Sequence, residues 1–132
     1  MGMPFSIVDA GEAAAVVLLR RPEPDALMRE VAAFLRVPVT AFAWPEAGGF
    51  RVRLFGPVAE LEFSGPGLAA VAHAVWQAEL VPPAPALRLL GPAGDLEARR
   101  LGARLEVAQE GRAVFSAGQP RTVVRGELRW PA

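Results

Sequence analysis

The segment that most constrains the fold is PGLAAVAHAVWQAEL, residues 66–80. It predicts a helix, and between Gly67 and Glu79 its only polar side chains are His73 and Gln77, four apart and so on one face. A helix that is apolar nearly all round has to be covered on nearly all sides. Ala69, Ala70, Ala72, Ala74 and Ala78 keep it thin, so sheet backbone can approach closely. The expectation is a central helix wrapped by strands.

The rest of the chain supplies those strands. Residues 5–9 and 13–19 read as two short strands separated by Ala10-Gly11-Glu12. VTAFAW (39–44), FRVRLF (50–55) and VAELEF (58–63) follow, the last two with clear alternation. Pro82, Pro83 and Pro85 end the central helix, and APALRLLG (84–91) reads as an edge-like strand. Residues 95–101 fit either a helix or a strand. The remaining segments, 103–109, 112–118 and 121–130, read as strands.

A second helix is predicted over 24–36, with Leu27, Met28, Val31, Phe34 and Leu35 on one stripe and Arg29, Glu30 and Arg36 outside it. Pro24 suits the first turn, Glu23 and Asp25 complement the dipole there, and Pro38 stops the helix. Arg51 and Arg53 are positioned to pair across the sheet with Glu60 and Glu62, as surface charge pairs do.

One domain is the economical reading of 132 residues without repeat, linker or charge block. With 52% hydrophobic and 21% charged residues the chain is not expected to be disordered. No apolar run approaches the roughly 18 residues that span a bilayer. The opening MGMPFSIVDAG has no basic region ahead of an apolar block, so a cytoplasmic location without a secretory leader is expected. Net charge is zero and the arginines are scattered, which argues against a nucleic-acid surface.

Composition also narrows the chemistry. There is no Cys, which excludes disulfides, thiolate metal sites, a Cys nucleophile and a paired-thiol racemase. All fourteen basic residues are Arg, so Schiff-base chemistry is excluded too. A single His cannot build a His-rich metal centre, and neither metal nor cofactor is expected.

The candidate site is the handover from strand to central helix at Ser64-Gly65-Pro66-Gly67. Backbone N–H groups at Gly65 and Gly67 and the positive helix end suit an anion, though Pro66 removes one donor. Ser64 reads first as an N-cap, since an unactivated hydroxyl is a poor base. His73 reads first as a buried, hydrogen-bonded histidine with Gln77 as its nearest helical partner. Trp44, Trp76 and Trp130 read as core or interface anchors.

Four stretches resemble the phenazine-biosynthesis isomerase (PhzF-like) family, which has the diaminopimelate epimerase fold. IVDA followed by GEAAAVVL is similar to the family's opening Val-Asp strand and Gly-Asn-Pro-Ala-Ala-Val-Val. PDALMREVAAFLRVPVTAFAWP is similar to its Leu-Met helix and Ser-Glu-Thr-Ala-Phe strand. FRVRLFGPVAELEFSGPGLAAVAHAV matches, without a gap, its Phe-Thr-Pro strand, Cys-Gly-His-Ala-Thr turn and Ala-Ala-His helix. The tail GARLEVAQEGRAVFSAGQPRTVVRGEL is similar to the end of such a protein.

The resemblance implies an α+β lobe, with an antiparallel-rich, barrel-like sheet around the apolar helix and the 24–36 helix outside. Family members have two such lobes with the active site between them, and this chain corresponds to one. The family's acid/base Glu falls on Val39, and its Cys-Gly-His turn falls on Ser64-Gly65-Pro66. The second lobe's Glu-Asp-Pro and Thr-Gly-Ser signatures have no counterpart. Isomerisation that moves a proton between carbons needs a positioned acid or base, and Val39 supplies none.

The expectation is therefore a non-catalytic lobe that binds a small anionic metabolite at Thr40, Ser64, Gly65 and Gly67, or serves as an interaction module. The alternative is an isomerase or epimerase using His73, Glu60 or Glu62 across a dimer cleft. A homodimer imitating the two-lobed family is expected, with a separately encoded partner lobe as the other possibility.

Overall fold

The computed structural model describes residues 2–130. In chain order the elements are β1 (Gly2–Asp9), β2 (Ala13–Leu18), α1 (Asp25–Leu35), β3 (Val39–Glu46), β4 (Gly49–Phe55), β5 (Glu60–Leu61) and α2 (Gly65–Gln77). The second half is all strand: β6 (Ala86–Gly91), β7 (Gly94–Leu101), β8 (Arg104–Gln109), β9 (Arg112–Ala117) and β10 (Arg121–Arg129). They form one sheet in the order β10-β1-β2-β3-β4-β6-β7-β8-β9, with β5 paired to β4 alone. Among the described residues every pairing is antiparallel except β2–β3 and β4–β6. Parallel neighbours need a crossover, and α1 and α2 are those crossovers.

The sheet curls around α2, which packs on β1, β2, β3, β4, β7, β8 and β9. β3 explains how the helix comes so close. Its inward residues Val39, Ala41 and Ala43 are small and join the α2 cluster with Leu54, Leu68 and Val71. Its outward residues Phe42 and Trp44 are large and meet α1 through Met28 and Val31. All five of these β3 residues are buried, so the strand is covered on both faces, by α2 inside and α1 outside. Phe42 and Phe55 meet edge-on at 5.6 Å between centroids. Burying each ring contributes about 1.5–3 kcal/mol.

The ends of the sheet do not meet. β9 and β10 are consecutive in the chain yet lie at opposite ends of the strand order and do not pair with each other. The barrel is left with an open seam, and the polar face of α2 looks into it.

One reading left open is settled, and several expectations are corrected. Residues 95–101 are part of β7, paired on both sides, because Gly94 with φ of 122° completes a tight turn out of β6. The strand expected over 58–63 shrinks to Glu60–Leu61: Gly56 N–H bonds to Ala59 O at 2.8 Å, and this turn leaves Val58 97% exposed. α2 begins at Gly65 and stops at Gln77, short of Leu80. Glu79 takes a left-handed φ of 55°, and Leu80 N–H bonds back to Val75 O at 3.2 Å, which closes the helix end. Phe34 is 67% exposed and packs edge-on against Trp130 at 5.5 Å, outside the core stripe. Arg53 pairs with Glu60 as expected, but Arg51 pairs with Glu46 of its own hairpin, and Glu62 is exposed. No helix among the described residues is long and apolar enough to cross a membrane.

Candidate functional site

The turn into α2 is built from an extended Ser64, with φ of −152° and ψ of 112°. Its Oγ accepts the Gly67 N–H at 3.0 Å, and its carbonyl accepts the Leu68 N–H at 2.9 Å. The hydroxyl is thus the N-cap, and Pro66 in the first turn loses nothing by lacking an N–H. The expectation of a free N–H at Gly67 is corrected, because Ser64 already receives it.

Apolar side chains wall this turn. A β-carbon built on Gly67 would lie 2.9 Å from Leu54 Cδ2 and 3.1 Å from Val39 Cγ2. One built on Gly65 would collide with Cδ1 and Cγ of Phe115 and lie 2.8 Å from its Cβ. Phe115 comes from β9, so the last hairpin covers the start of α2. Thr40 is fully buried and does not face a cleft, and its hydroxyl has no partner among the described residues. Val39, where the resemblance puts the acid/base Glu, is buried beside Gly67.

His73, Glu60 and Glu62 share no hydrogen bond or ion pair among the described residues. Glu60 is held on the outer face by Nη2 and Nε of Arg53, at 2.7 and 2.8 Å, with Arg29 at 3.6 Å. The Arg53 hydrogen bonds keep its carboxyl below the usual carboxylate range. Asp25, bonded first to Arg29 and then to Arg53, is lowered likewise.

His73 lies instead on the seam, half-buried, with Nε2 3.2 Å from Thr122 Oγ1 of β10. Thr122 donates its own hydroxyl hydrogen to Gln77 Oε1 at 2.7 Å. That hydrogen is spent, so Thr122 accepts from Nε2–H and the neutral imidazole carries its proton there. Burial first, then the positive charges of Arg125 and Arg100, hold the His73 pKa below its ordinary value. The helical neighbour Gln77 is thus joined to His73 through a strand residue.

Two grooves flank this trio. One, of about 450 Å³, runs along Pro120–Arg125. The other, of about 320 Å³, is lined by Trp76, Arg100, Arg104 and Gln119. Arg100 stacks on the Trp76 ring with its guanidinium carbon 4.0 Å from the centroid. Sequence reasoning missed Thr122, Arg100 and Arg125. The polar pair His73/Gln77 on an otherwise apolar helix was the only pointer to them. Among the described residues no group of three His, Cys, Asp or Glu side chains is placed to hold a metal ion.

Residues 7–125 match the phenazine biosynthesis-like (PhzC-PhzF) family. The chain belongs to this family. An uncharacterized isomerase of Halalkalibacterium halodurans is 29% identical over 114 residues, which span 81% of this chain and 43% of that protein. A PhzF-family protein of Enterococcus faecalis superposes with a TM-score of 0.77 at 25% identity, over 81% of this chain and 44% of its own. A PhzC/PhzF protein of Clostridium difficile gives 0.73 at 30% identity, over 79% and 42%. The α+β, diaminopimelate epimerase-like lobe is therefore the fold of this chain, within an isomerase-like family. The chain spans less than half the length of these relatives.

Proposed function

We propose that this chain is a PhzF-like lobe that has given up proton transfer and binds a small anionic metabolite. The observation that carries this reading is Val39, buried against Gly67 at the position where the family resemblance expects the acid/base Glu. A valine side chain can neither take nor give a proton, and Ser64 beside it is occupied as a cap. The test is solvent-deuterium incorporation at the substrate carbon with a panel of amino and hydroxy acids. None is expected. Reproducible incorporation, abolished by Glu60→Gln, Glu62→Gln or His73→Gln, would establish the isomerase reading instead.

The lobe works as one half of a pair, with a second copy as its partner. The chain spans less than half the length of its relatives, so a two-fold pair of copies would reproduce their size. Sedimentation at micromolar concentration should give a dimer. A monomer overturns the pairing, and co-purification of a second chain of similar size would assign the partner to a separate lobe.

A further inference from the structure

We propose that the open seam between β10 and the β7–β8 turn is the binding site for a small dicarboxylate, held between Arg100 and Arg125 over the His73–Thr122–Gln77 trio. This inference rests on the reading of the chain as a binding lobe, but it moves the ligand away from the Ser64–Gly67 turn.

Charge distribution supports it first. The chain has equal numbers of acidic and basic residues. Yet the two grooves beside His73 are lined by Arg100, Arg104, Arg121 and Arg125 and by no Asp or Glu. Arg104 bonds to the Ser116 hydroxyl, and Arg121 lies 3.8 Å from Asp9. Arg100 and Arg125 have no carboxylate partner among the described residues, whereas Arg29, Arg51, Arg53, Arg88 and Arg99 all do. Both charges reach the His73 ring, Arg125 from the groove along β10 and Arg100 from the groove beside the β7–β8 turn.

Preorganisation supports it next. Stacking on Trp76 fixes the plane of the Arg100 guanidinium, so less freedom is lost when it grips an oxyanion. The forked guanidinium matches a planar carboxylate with two parallel hydrogen bonds. Two such forks suit two carboxylates, and grooves of about 450 and 320 Å³ admit a molecule of metabolite size. The floor is polar and ordered: with Nε2 donating to Thr122, Nδ1 of His73 remains an acceptor. A hydroxyl between the two carboxylates would find its partner there, which favours a hydroxy-dicarboxylate over its unsubstituted parent.

The chain has one His, so its imidazole resonances report the seam without ambiguity. The experiment titrates the full chain with malate and succinate by NMR, following the His73 ring and the backbone amides. Saturable shifts at His73 are expected, with malate tighter than succinate. Arg100→Gln and Arg125→Gln should each weaken malate by about tenfold or more, since each removes a forked, charge-assisted contact. Arg21→Gln, in the exposed loop before α1, should leave affinity unchanged, and amide spectra of all three variants should stay native-like. Absence of any saturable His73 shift overturns the proposal, as does equal weakening by Arg21→Gln. Shifts confined to the Gly65 and Gly67 amides would overturn the seam while keeping the binding lobe. Deuterium incorporation in the exchange assay would overturn the binding-lobe reading while leaving the seam result to stand by itself.

Discussion

Phe115 lies across Gly65, so closely that the first residue of α2 has no room for a side chain. The contact joins the last hairpin to the start of the central helix, and it is the ring's base rather than its tip that a methyl would strike. Gly65→Ala should therefore act as an overpacking substitution, costing about 1–3 kcal/mol. Chemical denaturation measures this directly. In a Phe115→Ala background the cost should shrink but not vanish, since the ring is gone while the β-carbon 2.8 Å away remains. An equal penalty in both backgrounds would assign the cost to something other than the ring.

Ser64 makes a different prediction, because its side chain has one visible task. Ser64→Ala removes the acceptor of the Gly67 N–H and should cost about 1 kcal/mol. Ser64→Asp should recover most of that loss, since a carboxylate also caps and suits the positive helix end. Denaturation midpoints of the three proteins decide the matter. A Ser64→Ala variant as stable as the parent would mean that the cap contributes nothing.

The central helix and its wrapping were legible because an apolar helix of alanines leaves few alternatives, and β3 repeats the logic with alanines facing in and aromatics facing out. The exposed Phe34 was not legible. Its spacing fits the buried stripe of α1, and only the position of Trp130 shows that it packs on the rim. The short β5 was hidden for a similar reason: alternation in VAELEF is compatible with a strand, but the Gly56–Ala59 turn consumes its first half. The turn at Ser64 could be placed from local pattern, while its cover, Phe115, is some fifty residues away in the chain. The seam is non-local in the same way, since Thr122, Arg100 and Arg125 reach His73 only through the curl of the sheet.

On the outer face, Arg53 and Glu60 share two hydrogen bonds across β4 and β5, and Arg53 also bonds to Asp25. Two parallel bonds fix the geometry better than a single exposed contact. A double-mutant cycle with Arg53→Met and Glu60→Gln should give a coupling of about 0.5–1 kcal/mol, the upper range for pairs this close to solvent. Because the Arg53 hydrogen bonds lower the Glu60 pKa, this contribution is complete above the ordinary carboxylate value and fades as pH falls through the lower, folded one. Coupling of the same size at pH 7 and at pH 2 would rule out an ionic origin.

His73 gives the pH dependence nearer neutrality. Burial, with Arg125 and Arg100 acting in the same direction, lowers its pKa in the fold, and Thr122 engages the neutral ring through Nε2. The unfolded chain then takes up the proton more readily than the folded one. Stability is complete above the ordinary imidazole value, declines as pH falls through it, and levels off once the folded ring is protonated as well. His73→Gln removes this titration, so the parent should lose more stability than the variant between about pH 7 and pH 5. Denaturation midpoints collected across that interval compare the two slopes. Parallel slopes would mean that the ring titrates alike in both states and that neither the seam's arginines nor its burial bears on it. In Arg125→Gln the ring should protonate at higher pH than in the parent, because one of the two repelling charges is gone. Following the His73 ring signals with pH separates that electrostatic effect from desolvation, which the substitution at the mouth of the seam leaves largely in place.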